Sequence, residues 1–197
     1  VLDQTQDPIS VADTDLYLER ISSRDGQIKP TGIPVKKEKV ESRSQVMLTT
    51  ELCRIGEGIT VTGRIPRLNP YEKGNPKMLI RRGGELETDN FIDDRSLVLE
   101  VEDGLVVLLG CCHAGLINTL VYVKEWFSAP IKAVIGGTHL LEASLEQLDW
   151  TIGELKEKFQ PEQMFLNHCT GFNAMVAFRN ALGSKLHEMP AGEVLEF

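Results

Sequence analysis

The strongest signal in the hydrophobic pattern is five aliphatic residues in a row, Leu105 to Leu109, followed at once by Gly110. Such a run predicts a buried strand with a sharp stop. From Ala114 to Phe127 the period changes: Leu116, Leu120, Val123 and Phe127 recur at helical spacing, as do Ile117 and Val121. Cys111, Cys112 and His113 therefore fall on a strand-to-helix corner, at the end of a sheet and beside the free N–H groups of a helix start.

The same pattern returns twice downstream. Ile131 to Ile135 predicts a short strand ending in Gly136-Gly137-Thr138-His139, and Met164 to Leu166 predicts one ending in Asn167-His168-Cys169-Thr170-Gly171. Ser144 and Gln147 have the spacing of a capping box, ahead of a helix carried by Leu145, Leu148, Ile152, Leu155 and Phe159. After the third strand, Met175, Phe178 and Leu182 mark a buried stripe flanked by Phe172 and Val176, with Gly183 as C-cap. Three predicted strands thus end in three histidines, in an α/β arrangement.

Upstream the pattern is weaker. Residues 1–4 read as the tail of an element and Pro8 to Ala12 as a short strand; Asp13 to Arg20 is a turn or helix, and Arg24-Asp25-Gly26-Gln27 is a turn. Lys36 to Lys39, with Glu38 inside it, reads as a solvated loop. Gln45 to Thr50 and Ile59 to Thr62 are β-prone, separated by the turn Gly56-Glu57-Gly58. Residues 70–90, rich in glycine, proline and charge, predict a loop or lid. Leu97 to Val101, an Asp103-Gly104 turn and the central strand predict a hairpin.

Length and composition narrow the picture. With 197 residues, 42% hydrophobic and 25% charged, the chain is expected to form a single domain, residues 1–197. Acidic residues outnumber basic ones 29 to 21, which argues against a nucleic-acid surface. Neither an apolar run of about 18 residues nor a basic start followed by an apolar stretch is visible, so no membrane partner is expected and a cytoplasmic address is the default.

Six of the eight cysteine and histidine residues lie in the three corners; Cys53 and His187 fall elsewhere. Each alone reads as a buried core residue, but thiolate and imidazole together suit a borderline ion, and separate strand ends can converge on one. Arg64 and Arg67, beside Pro66, either grip a phosphate or carboxylate or are solvated and paired with Glu72 or Asp93.

The segments T-G-R-I-P-R (62–67), D-D-R-S-L-V (93–98), G-L-V-V-L-L-G-C-C-H-A-G-L-I-N-T-L (104–120), A-V-I-G-G-T-H-L (133–140), H-C-T-G (168–171) and A-G-E-V-L-E-F (191–197) resemble the metallo-β-lactamase superfamily. Within it they are most similar to the dihydropterin/ribofuranosyl-aminobenzene phosphate synthase-like branch.

The resemblance implies an αββα sandwich with zinc, iron or manganese at the sheet edge, hydrolysing a small phosphorylated or ester substrate. It implies Cys111, His113 and His168 as metal ligands and His139 as a catalytic acid or a further ligand. Arg64, Arg67, Thr138 and Thr170 are the expected substrate-binding residues. The family motif H-x-H-x-D-H is not in this sequence. The chain therefore reads as the C-terminal portion of the fold without its N-terminal strands, its site completed by another segment or chain. Arg64 stands where this branch commonly has glutamate.

Two other functions compete. One is a cysteine hydrolase with Cys112 as nucleophile, although Ala114 stands where the G-x-C-x-G turn needs glycine. The other is a non-catalytic half-fold that binds a partner.

Overall fold

In the computed structural model, which describes residues 8–24 and 26–197, turn signals and apolar runs divide the described residues into thirteen strands and four α-helices. In order these are β1 (Ile9–Ala12), β2 (Arg20–Arg24), β3 (Gln27–Pro30), α1 (Lys37–Glu41), β4 (Gln45–Leu48), β5 (Cys53–Gly56), β6 (Ile59–Val61), β7 (Met78–Arg82), β8 (Glu85–Thr88), β9 (Ser96–Val101), β10 (Gly104–Leu109), α2 (Leu116–Trp126), β11 (Ile131–Gly136), α3 (Leu145–Glu154), β12 (Gln163–Leu166), α4 (Phe172–Leu182) and β13 (Leu186–Glu188). The readings made for residues 1–4 and Asp25 lie outside the described residues.

The central sheet has seven strands in the order β13-β12-β11-β10-β9-β6-β5. β10, β11, β12 and β13 run parallel, while β9, β6 and β5 continue antiparallel. Leu105 and Val107 belong to the core formed with α2, α3 and α4, whereas Val106 belongs to a separate cluster with Ala133 and Ile135. Burial on both faces explains why β10 reads as an unbroken apolar run. A register shift between Leu105 and Val106 lets Ile131 and Val134 serve the same core despite their odd spacing. Leu116, Leu120 and Val123 of α2, Leu148 of α3 and Phe178 of α4 are buried against this sheet. Among the described residues, no helix is long and apolar enough to cross a membrane.

Several expectations need correction. Residues 70–90 are not one loop: β7 and β8 form a hairpin within a four-stranded sheet, β3-β2-β7-β8. Gly83 and Gly84, both at positive φ, make its turn. The charges that suggested a loop sit on the strands, where Arg82 bonds Glu87 and Arg81 bonds Glu19. Lys37 to Glu41 is an exposed helical turn instead of loop. In the β9–β10 hairpin Gly104 pairs with Val101, so Glu102 and Asp103 make the turn. Ser144 caps α3 by accepting from the Gln147 N–H, but Leu145 is 79% exposed, and residues 155–159 wind as a π-turn. In α4, Ala174 and Phe178 are buried, while Phe172 is 80% exposed at the first turn.

Asp13, at the end of β1, ties the β1–β4 pair to the central sheet. Its buried carboxylate accepts from Arg64 Nε at 2.9 Å, Arg64 Nη2 at 2.7 Å, Arg95 Nη2 at 2.7 Å and the Asp15 N–H at 3.0 Å. Burial alone would raise this carboxyl. The bonds from Arg64, the Asp15 N–H and Arg95 outweigh it and hold the group well below the usual carboxylate range.

A folded-state value below the unfolded one, about 3.9, gives a stabilisation present above that value and lost as pH falls toward the folded value. Asp13→Asn should therefore cost about 3 kcal/mol at pH 6. The difference from wild type should shrink steadily below about pH 4 in urea unfolding series.

Candidate functional site at three strand ends

Because β10, β11 and β12 are adjacent and parallel, the segments that follow them emerge side by side at one edge of the sheet. Cys111 follows β10 and His168 follows β12; the Cys111 Sγ lies 3.2 Å from His168 Nε2. The Cys169 thiol donates to the Cys111 carbonyl at 3.2 Å, and the ligating atoms of Cys111, His168 and Cys169 all lie within 4.8 Å of one another. The His113 ring is stacked on Phe91 at a centroid distance of 4.2 Å and meets the His139 ring at 4.3 Å. A cleft of about 260 Å³ opens beside these rings, lined also by Arg67, Tyr71, Lys73 and Gln147. Its neighbour, of about 220 Å³, shares both histidines and reaches Met78, Leu141 and Cys169.

The peptide groups of the first corner, between strand and helix, need partners from elsewhere. Arg67 donates to the carbonyls of His113 and Glu72 at 2.7 Å, of Asn90 at 2.8 Å and of Ala114 at 3.4 Å. Asp94 accepts from the N–H groups of Ala114, at 3.0 Å, and His113. Glu72 takes the helix start, accepting from Ile117 and Asn118 N–H at 2.8 Å each. Gly115, at φ 100°, precedes the helix, and any side chain there would overlap Glu72.

Four of the five described non-glycine residues with positive φ surround the site: Phe91, Cys112, His139 and His168. Each such conformation costs on the order of 1 kcal/mol, and clustering of this kind is characteristic of sites whose geometry the surrounding structure imposes.

Burial lowers the pKa of both His113 and His139, and for His139 the neighbouring His113 lowers it further. Neutral imidazoles accept a proton or bind an ion. Burial, together with the Cys169 thiol alongside, pushes Cys111 up to about 11. Glu72 and Asp94 are raised by burial, against the pull of the N–H groups they accept.

Of the residues expected from sequence, Cys111, His113, His139 and His168 are brought together. Thr138 lines the cleft, but Thr170 is fully buried and its hydroxyl is 3.2 Å from that of Thr138, joining the second and third corners. Arg67 also lines the cleft, with its guanidinium turned to backbone carbonyls, whereas Arg64 is held by Asp13 and Asp15. Cys112 is 1% exposed, its Sγ 3.4 Å from the Thr119 hydroxyl, and burial raises its thiol pKa, which removes it as an accessible nucleophile. His187 stands apart, 2.6 Å from Gln163 Oε1.

Sequence reasoning counted Cys169 among the corner residues without making it a ligand, named Glu72 only as an alternative partner for Arg64 and Arg67, and assigned no role to Asp94 or Phe91. Asp94 and Cys169 do lie within the motifs D-D-R-S-L-V and H-C-T-G. Glu72 and Phe91 carry no such signal, because their roles depend on tertiary approach.

No family model matches the chain. The 7,8-dihydropterin-6-methyl-4-(β-D-ribofuranosyl)-aminobenzene-5'-phosphate synthase of Methanocaldococcus jannaschii is 29% identical over 155 residues, covering 77% of this chain and 52% of that protein. The uncharacterized protein MJ0448 of the same organism is 28% identical over 141 residues, covering 71% and 50% respectively. The chain thus spans about half the length of these curated relatives. Among solved structures, Tm1679, a metal-dependent hydrolase of the β-lactamase superfamily, matches with a TM-score of 0.88 at 25% identity, over 100% of this chain and 73% of that one. The chain has the α/β fold of that hydrolase over its whole length.

Two measurements check the site. Maleimide labelling of the native chain followed by peptide mapping should modify Cys53 and Cys169, modify Cys111 more slowly because its thiol is held protonated, and spare the buried Cys112. Arg67→Lys should destabilise the fold by about 2 kcal/mol in urea, nearly as much as Arg67→Ala, because an ammonium cannot serve carbonyls spread along a planar fork.

Proposed function

We propose that the chain carries the catalytic edge of a metal-dependent hydrolase acting on a small phosphorylated or ester substrate in the cleft beside β10, β11 and β12. The observation that carries this reading is the convergence of Cys111, His113, His139 and His168 from three separate strand ends. The likeness to a metal-dependent hydrolase over the whole chain supports it.

The donor set fits an ion of the zinc type, with iron or manganese as the harder alternatives. Thiol and imidazole are its preferred ligands, and His113 Nδ1 is buried without a hydrogen-bond partner. Cys111 and His168 would hold it, and His113, turned to the neighbouring cleft, would serve a second position beside it. When bound, such an ion supplies Lewis acidity toward a phosphoryl or carbonyl oxygen. A segment bearing H-x-H-x-D-H, from the same protein or from another chain, would supply the remaining ligands.

The rest of the chemistry falls to this chain's residues. His139, neutral and facing the cleft, takes a proton and returns it to a leaving group. Thr138 and Arg67 line the space in which the substrate sits, while Thr170 and Arg64 act from behind, holding the corner and the loop. Asp94, through the His113 and Ala114 N–H groups, keeps the first corner still while this happens.

The test is His168→Ala in the complete protein, with metal content read by elemental analysis beside the hydrolysis rate of an activated phosphoester. Loss of a ligand should lower both by more than about 100-fold. His139→Ala should lower the rate with metal retained. Full activity in the His168→Ala protein overturns the assignment.

A further inference from the structure

We propose that Cys169 joins Cys111 and His168 in a thiolate-rich seat for one thiophilic divalent ion, such as zinc or cadmium, set apart from the imidazole pair His113 and His139. This deepens the metal chemistry proposed above, but it is read by binding alone and does not depend on turnover.

The spacing comes first. With metal–sulfur bonds of about 2.3 Å and metal–nitrogen bonds of about 2.0 Å, donors at the corners of a tetrahedron lie about 3.5–3.8 Å apart. Cys111 Sγ and His168 Nε2 are already 3.2 Å apart, and no pair in the trio exceeds 4.8 Å. Side-chain rotation alone closes such a gap.

The backbone is arranged to aim these groups. Adjacent residues normally point apart, yet His168 and Cys169 both face Cys111. His168 sits at φ 53° at the start of a short 3-10 turn, Asn167 precedes it in extended conformation, and the turn brings both side chains to one side. Gly137, from the second corner, leaves room for the sulfur: a Cβ there would stand 2.7 Å from Cys169 Sγ and 3.5 Å from the Cys111 Cα. The glycine of one strand end thus makes space for the thiols of the other two.

The donor set decides the class of ion. Two sulfurs and one imidazole nitrogen favour borderline and soft ions, and no carboxylate belongs to the trio, so magnesium, calcium and manganese are disfavoured. Cys111 and Cys169 are half-buried and His168 is exposed, which leaves an entry path. Cys169 also lines the cleft shared with His113 and His139, so the fourth coordination position opens toward the substrate space.

The experiment is a cadmium titration of the reduced, chelator-stripped chain, following the thiolate-to-metal charge-transfer absorbance in the ultraviolet. The band should saturate at one equivalent and persist in a thousandfold excess of magnesium. Cys169→Ser and Cys111→Ser should each remove about half of its intensity and weaken cadmium binding by at least about tenfold. Cys53→Ser should leave it unchanged. An undiminished band in Cys169→Ser, or a band lost in Cys53→Ser, overturns the proposal, as does the absence of any band in the wild type. A normal band in a complete protein without phosphoester hydrolysis upholds the seat and overturns only the hydrolytic reading.

Discussion

The corner from Cys111 to Gly115 depends on charge applied to its backbone. A chain leaving a strand and entering a helix within a few residues has peptide groups that neither element can satisfy, and three charged side chains take them. Arg67 collects the carbonyls, Asp94 the first N–H groups and Glu72 the N–H groups of the helix start. Leaving buried groups of this kind unpaired would cost about 1–3 kcal/mol each. The clamp also joins three parts of the chain distant in sequence: the loop at residues 67–72, the turn at residues 89–94 and the corner itself. The position of His113 over the cleft is therefore a tertiary property, set by Arg67 and Asp94 through its backbone and by the Phe91 and His139 rings beside its own.

The parts of the fold legible in sequence are those written in local period. The run Leu105 to Leu109, the helical spacing after Ala114 and the Ser144 cap each express a constraint acting within a few residues, and each appears in the structure as an element close to where the pattern places it. β7 and β8 were hidden for the opposite reason. Their strands carry Arg81, Arg82, Glu85 and Glu87 because β8 is wholly exposed and β7 only half-buried, so nothing beyond the three-residue run Met78-Leu79-Ile80 announces them. Leu145 and Phe172 misled in another way. Each sits in the first turn of its helix, beyond the part that packs on the sheet, and apolar spacing alone does not show where the packing begins.

The site shows the same division. That three histidines end three strands is a sequence fact, and parallel pairing turns it into a cluster. The left-handed backbone at Phe91, Cys112, His139 and His168 has no local signature, since none of these residue types demands it. The tertiary structure imposes it, and with it the direction in which each ring or thiol points. Glu72 likewise acts as a helix cap from more than forty residues away, where capping patterns are not sought.

Neighbouring parallel strands lie about 4.8 Å apart, and that pitch is a ruler for whatever stands on their ends. Groups two residues beyond β10 and β12 straddle the end of β11, and the glycines there keep the intervening space open. Chemistry mounted this way is modular. Exchanging a thiol for an imidazole or a carboxylate at any one strand end changes the character of the whole cluster while the sheet beneath keeps its hydrogen bonds and its core. A lineage built on this edge can thus drift between reactions at little cost in foldability, and relatives that share the same framework need share little of the chemistry set upon it.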